Sequence, residues 1–205
     1  MPPHPSLINL QGFTAEGGAA GGFSKLVAVL ELCKGMTTLG KPPSFSSVTR
    51  DVYPAGSVPA LTLPQAAAIA RAVAAACAHL HAHGVAHGDV YAHNVMVDLT
   101  LLGSSAPAGP LRGLLEGRAK LGDFGAAFVY DAAGPHARAV QLVEVRAWAC
   151  LCSELAALAM AGGENEAALR EGMRALASPC EGGLGGVPAF SAAVAQLDAL
   201  LAPFL

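Results

Sequence analysis

Two short stretches carry residues whose types and spacing suit chemistry. In His87-Gly88-Asp89-Val90-Tyr91-Ala92-His93-Asn94 an Asp follows a His by two residues, and an Asn follows that Asp by five. Leu121-Gly122-Asp123-Phe124-Gly125 sets a second Asp in a turn after a strand-sized run. A carboxylate can take a proton, and an Asp in a turn after a strand can reach back to a metal ion. Asp89 alone would read as a turn residue; the three together point to a reaction. A competing reading comes from histidine. His79, His81, His83, His87 and His93 crowd into fifteen residues, and His79 and His83, four apart on one helical face, offer zinc two ligands. No H-E-x-x-H pattern accompanies them, and a helix C-terminus also favours histidine through its dipole.

H-x-D-x-x-x-x-N followed by strand, turn, strand and D-F-G resembles the catalytic core of the protein kinases, in an atypical H-G-D-type form. The resemblance implies ATP and Mg2+ as cofactors. It gives Asp89 the role of orienting the acceptor hydroxyl and taking its proton, and it makes Asn94 and Asp123 the magnesium ligands, with His87 packed against Phe124. It also extends outward along the chain. Residues 4–10 look like the turn and strand that follow the regulatory helix of the small lobe. Leu30-Glu31-Leu32-Cys33-Lys34-Gly35 looks like the hinge, where the Glu31 carbonyl and the Cys33 backbone groups would bind adenine. Glu144-Val145-Arg146-Ala147-Trp148-Ala149 looks like the buried large-lobe helix, with Glu144 in place of the Asp that usually holds the catalytic-loop backbone.

Four departures qualify what is implied. No Gly-rich phosphate loop, V-A-I-K-type lysine or partner glutamate precedes His4, and an electrostatic clamp of that kind contributes about 2.7–4 kcal/mol to catalysis. Gly88 replaces the arginine that receives a phosphorylated activation segment. Residues 126–143 hold no Ser or Thr and one hydroxyl, Tyr130. Tyr91 stands where Ser/Thr kinases place a lysine; His93, at the offset of an arginine in tyrosine kinases, is expected to take part of its place as a catalytic residue. The resemblance therefore implies an α+β, protein-kinase-like fold: a mostly α-helical large lobe over residues 36–205, with residues 1–35 a partial small-lobe β-hairpin and hinge. It implies transfer from ATP to a protein Ser, Thr or Tyr hydroxyl, weak in this chain alone, with a protein partner over the incomplete small lobe. The alternative is a pseudokinase, a nucleotide-binding or scaffolding module without catalysis.

The rest of the sequence must position these residues. Of 205 residues, 53% are apolar and 13% charged, which excludes a disordered tail and gives one or two domains a core to bury. A net charge of −3, with four lysines among twelve cations, supplies no basic cluster for nucleic acid. Arg71, and Ser153 with Glu154, interrupt the longest apolar runs, so no membrane span is expected, and Met1-Pro-Pro-His-Pro carries no secretory signal. The cysteines at 33, 77, 150, 152 and 180 lack C-x-x-C spacing and read as reduced, buried thiols of a cytoplasmic protein. Residues 7–10 and 26–30 predict a hairpin across a flexible Gly-rich connector. Apolar spacing at Ala66, Ile69, Ala70, Val73, Cys77 and Leu80 predicts a core helix over 63–83, with Pro64 in its first turn. Residues 95–97 and 119–121 predict strands around an insertion, 103–117, that loops out. A centrally buried helix is expected over 140–160, followed by two amphipathic helices carrying Leu169 to Leu176 and Val194 to Leu201.

Overall fold

The computed structural model describes residues 1–17, 23–47, 50–54, 61–102, 108–160, 166–181 and 188–205. Helix α1, Leu63–Ala82, starts where the sequence signals it. Thr62 caps the Gln65 amide at 3.3 Å and the Gln65 side chain returns to the Thr62 N–H at 2.9 Å, with Pro64 in the first turn. Its many alanines let neighbours close in from every side, so α1 is buried nearly all round and is the central helix of the fold. By length and composition it is long and apolar enough to cross a membrane, contrary to the expectation from Arg71; 72% of its most apolar 18 residues are buried inside the fold, and Arg71 reaches Asp198 at 2.8 Å.

Helix α3, Ala137–Leu158, corrects the expectation of a centrally buried 140–160 helix. It buries one side through Glu144, Val145, Trp148, Leu151, Cys152 and Leu155, while Val143 is 67% exposed. Trp148 joins it to the centre: its indole N–H donates to the Ala70 carbonyl at 2.9 Å and its ring meets Phe190 edge-on at 5.7 Å. Helix α4, Ala167–Glu181, covers α3 with Leu169, Met173 and Leu176, and α5, Phe190–Leu201, covers α1 with Phe190, Ala193, Leu197 and Leu201. Among the cysteines with described side chains, Cys77 and Cys152 are buried, Cys33 and Cys150 are half-buried, and none forms a disulfide.

The short strands carry the functional loops. β1, Leu10–Gly17, and β2, Phe23–Leu30, form an antiparallel hairpin, bulged at Gln11, whose connector 18–22 lies outside the described residues. The first strand begins at Leu10 rather than Leu7. Leu7 is buried and bridges in parallel to Leu121, because its side chain belongs to the core of the larger lobe. β3, Thr37–Thr38, β5, Val95–Val97, and β6, Ala119–Leu121, make an antiparallel sheet in that spatial order. β4, Val85–Ala86, pairs with β7, Phe128–Val129. The insertion does not simply loop out. Residues 103–107 lie outside the described residues, but Ala108–Gly113 forms α2 and Leu114–Arg118 a helical turn, and Leu111 and Leu114 bury apolar side chains in the core. Gly and Pro at 109, 110 and 113 hid that periodicity. The ensemble is a predominantly helical lobe bearing a β-hairpin, an α+β arrangement.

Candidate functional site

The loop after β4 is built around His87, which is fully buried. The Gly122 carbonyl lies 2.8 Å from Nε2 and can only accept, while the Asp89 N–H lies 3.3 Å from Nδ1 and can only donate. The ring is therefore the neutral Nε2–H tautomer. Burial holds its pKa below the ordinary value, against the pull of the Gly122 carbonyl and of the Glu144, Asp89 and Asp123 carboxylates. As expected, His87 packs on Phe124, ring centres 5.2 Å apart.

Gly88 takes φ +78°, a conformation that L side chains rarely adopt. A Cβ there would lie 2.4 Å from the Ala126 carbonyl oxygen, so the segment after D-F-G runs directly over the space an arginine would need. The Gly88 N–H donates to Glu144 Oε1 at 2.8 Å, and Glu144 Oε2 holds His81 Nε2. Glu144, buried in α3, thus ties the loop backbone to α1, and its additional methylene lets it bridge both elements.

Asp89 and Asn94 are joined directly, and Asn94 is joined to the turn before Asp123 through the backbone of Gly122. The Asn94 Nδ2 group donates to the Asp89 carbonyl at 2.9 Å and to Asp89 Oδ2 at 2.8 Å, which commits the nitrogen end of the amide and leaves its oxygen end for another partner. The Asn94 carbonyl accepts from the Gly122 N–H at 2.9 Å. With His87 on the Gly122 carbonyl, both sides of that residue are fixed, and Asp123 follows directly. Asp123 turns left-handed, φ 55°, ψ 83°, accepts from the Gly125 N–H at 3.1 Å through one carboxylate oxygen, and is exposed. An exposed carboxylate and a free amide oxygen are donors of the type magnesium takes.

His93 is joined to a residue that the sequence reading did not single out. Its backbone N–H donates to Asp51 Oδ2 at 3.0 Å, and its Nδ1 lies 2.7 Å from Asp51 Oδ1. Nε2 lies 3.8 Å from Asp89 Oδ2, and the ring stacks on Tyr91 at 5.5 Å. Burial and the nearby Asp89 and Asp51 carboxylates push the Tyr91 hydroxyl up.

Glu31 and Cys33 stand apart from this cluster. The Glu31 side chain accepts from the Asn9 N–H at 3.0 Å and Asn9 Nδ2 at 2.7 Å and pairs with Lys120 at 2.8 Å. Burial raises its pKa, but Lys120 and Asn9 outweigh that and hold the carboxyl below its ordinary value. The hairpin is thereby tied to β6, two residues before Gly122. Burial and Glu31 push the Cys33 thiol up. The Cys33 carbonyl accepts from the Met36 N–H at 3.2 Å. A cavity of about 600 Å³ opens between the hairpin and Phe124, lined by Leu7, Ile8, Leu10, Ala28, Leu30 and others, but not by Glu31 or Cys33.

The zinc reading finds no convergent ligand set among the described residues. His79 Nε2 lies 3.0 Å from the Pro2 carbonyl, His83 Nδ1 lies 2.8 Å from the His79 carbonyl, and His81 serves Glu144.

The family model for protein tyrosine and serine/threonine kinases matches residues 3–149. No curated protein matches the chain. The matched span runs from the Pro-rich turn before β1, through both motifs, to Trp148 and Ala149 on α3.

Proposed function

Because the chain belongs to the protein tyrosine and serine/threonine kinase family, we propose that it binds ATP with magnesium and passes the γ-phosphoryl group to a protein hydroxyl. The observation that carries the reading is that Asn94 bonds Asp89 through its side-chain amide and the turn before Asp123 through its backbone carbonyl, which accepts from Gly122, at 2.8–2.9 Å. Asp89, whose side chain is 36% exposed, would orient the acceptor hydroxyl and take its proton. The acceptor oxygen then bonds to the γ-phosphorus as the bond to the β–γ bridging oxygen breaks, and ADP leaves. Asn94 through its free amide oxygen and Asp123 through its carboxylate would hold the magnesium ion, which neutralises charge developing on the phosphates. His87 and Glu144 are positioning residues: one fixes Gly122 and the other fixes the Gly88 backbone. The Glu31 carbonyl and the Cys33 backbone groups are the hinge groups that would meet adenine.

The test is transfer of label from γ-phosphate-labelled ATP to general acceptor proteins, with Mg2+. The expected result is labelling that Asp89→Asn lowers by about 10²–10⁴-fold, the usual contribution of a general base. Labelling that survives in Asp89→Asn removes Asp89 from the role. Magnesium-dependent ATP binding without any transfer supports the nucleotide-binding module instead.

A further inference from the structure

A cavity of about 470 Å³ lies between the loop after Asp89 and helix α3, a volume in the range of ligand pockets. One face of α3 lines it, with Val143, Arg146, Cys150 and Glu154 at helical spacing. Val90 and Tyr91, one and two residues after Asp89, line it from the loop side, and Arg50 joins them. Two of the three charged side chains there are paired with each other. Arg50 donates to Glu154 Oε1 at 2.9 Å and the Tyr53 hydroxyl donates to Oε2 at 2.7 Å, so both oxygens of that carboxylate have donors. The segment that carries Arg50 is fixed: Lys41 and Val52 exchange backbone hydrogen bonds at 2.9 and 3.0 Å, and buried Asp51 accepts from the His93 N–H at 3.0 Å. Arg146 is exposed, and no carboxylate among the described residues reaches it. The cavity thus carries one uncompensated positive charge in a chain whose net charge is −3.

We propose that Arg146 is a specificity-determining residue for the acceptor protein: it pairs with an Asp or Glu side chain a few residues from the acceptor hydroxyl, and the cavity beside Val90 and Tyr91 takes that acidic segment. A guanidinium presents its N–H donors in a fork that fits a carboxylate, and charge complementarity of this kind selects partners more than it raises affinity. The net charge of the chain disfavours acidic peptides, so a preference for them has to come from a local cation. What the cavity selects for rests on the phosphoryl-transfer reading; whether an acidic segment docks at Arg146 can be read without transfer.

The experiment uses two sets of peptides, each with one central Ser, Thr or Tyr in an Ala/Gly background; one set carries Glu at the flanking positions and the other Lys. With Mg2+ and ATP, kcat/KM is expected to favour the Glu set by about fivefold, the yield of one partly exposed ion pair. Arg146→Gln is expected to remove that preference, Arg146→Lys to keep part of it, and Arg146→Glu to reverse the order of the two sets. Equal rates on both sets in the parent, or a Glu preference that persists in Arg146→Gln, overturns the proposal. A Lys preference that is lost in Glu154→Gln seats a basic side chain on Glu154 in place of Arg50, and overturns it too. A parent that transfers no phosphate to either set counts against the phosphoryl-transfer reading. Docking is then decided by titrating the same peptides while following the arginine Nε–Hε signals by NMR, with Arg146→Lys assigning the one concerned. An Arg146 signal that moves with the Glu set and not with the Lys set supports docking; no movement, or equal movement with both, overturns it.

Discussion

Replacing Gly88 by alanine separates two ways in which the H-G-D loop depends on glycine. The φ of +78° costs an L residue about 1–2 kcal/mol. The new Cβ also lies 2.4 Å from the Ala126 carbonyl oxygen, 3.1 Å from its carbon and 3.4 Å from its Cβ, an overlap with backbone that typically adds about 1–3 kcal/mol. If both act on the whole fold, unfolding stability drops by about 2–5 kcal/mol, which for a chain of this size lowers Tm by at least about 4 °C. The less costly response is displacement of the exposed turn Phe124–Ala126, which carries Asp123 at its start. Stability then falls only by the backbone share, while magnesium-dependent ATP binding weakens. Gly84→Ala is the control: it has φ +66° and a contact of 2.9 Å to the Tyr130 carbonyl, away from Asp123. The assay is urea unfolding of both variants together with calorimetric ATP binding. A Gly88→Ala protein within about 0.5 kcal/mol of the parent, with parental ATP affinity, refutes the close approach of the two segments; such small changes are ordinary for unconstrained surface sites.

Other substitutions probe the supports. Glu144→Ala strands the Gly88 N–H and His81 in a buried setting, and at about 1–3 kcal/mol for each unsatisfied group it is expected to cost about 2–5 kcal/mol in urea unfolding, with Glu144→Gln costing less because it keeps an acceptor for Gly88. His87 is neutral when folded and its pKa is lowered by burial, so the unfolded chain binds the extra proton. Its contribution is complete above about pH 6.5 and is lost as pH falls below that value, and stability measured at pH 7.5 and 5.5 should decline more steeply in the parent than in His87→Gln. Glu31 also has a lowered pKa and contributes above the ordinary carboxylate range. Because the Glu31–Lys120 pair is partly exposed, Glu31→Gln is expected to cost only about 0.5–1 kcal/mol, read as faster amide exchange in β1 and β2 at neutral pH.

How much of this was legible depends on whether each signal was local. Asp89, Asn94 and Asp123 stand in contiguous motifs, and the resemblance those motifs carry implied His87 against Phe124 and Glu144 against the loop backbone. The α1 stripe and the Pro64 start were equally local, as were strands β5 and β6. Asp51 was not legible: it reaches His93 across 42 residues from a Ser- and Pro-containing stretch without periodicity. The Glu31–Lys120 pair is likewise made only by the fold. Leu7 was placed in the hairpin because an apolar tetrapeptide does not say which sheet it joins. Helix α3 looked central because its apolar residues outnumber its polar ones, yet the alanines of α1 allow closer packing and take the centre.

The most direct measurement is calorimetric titration of the parent and Asp123→Asn with ATP, each with and without Mg2+. ATP binding by the parent that requires Mg2+, and that falls at least tenfold in Asp123→Asn, is the predicted result. Equal ATP affinity in all four titrations, or no binding in any of them, would contradict the assignment of Asn94 and Asp123 to a magnesium–nucleotide site.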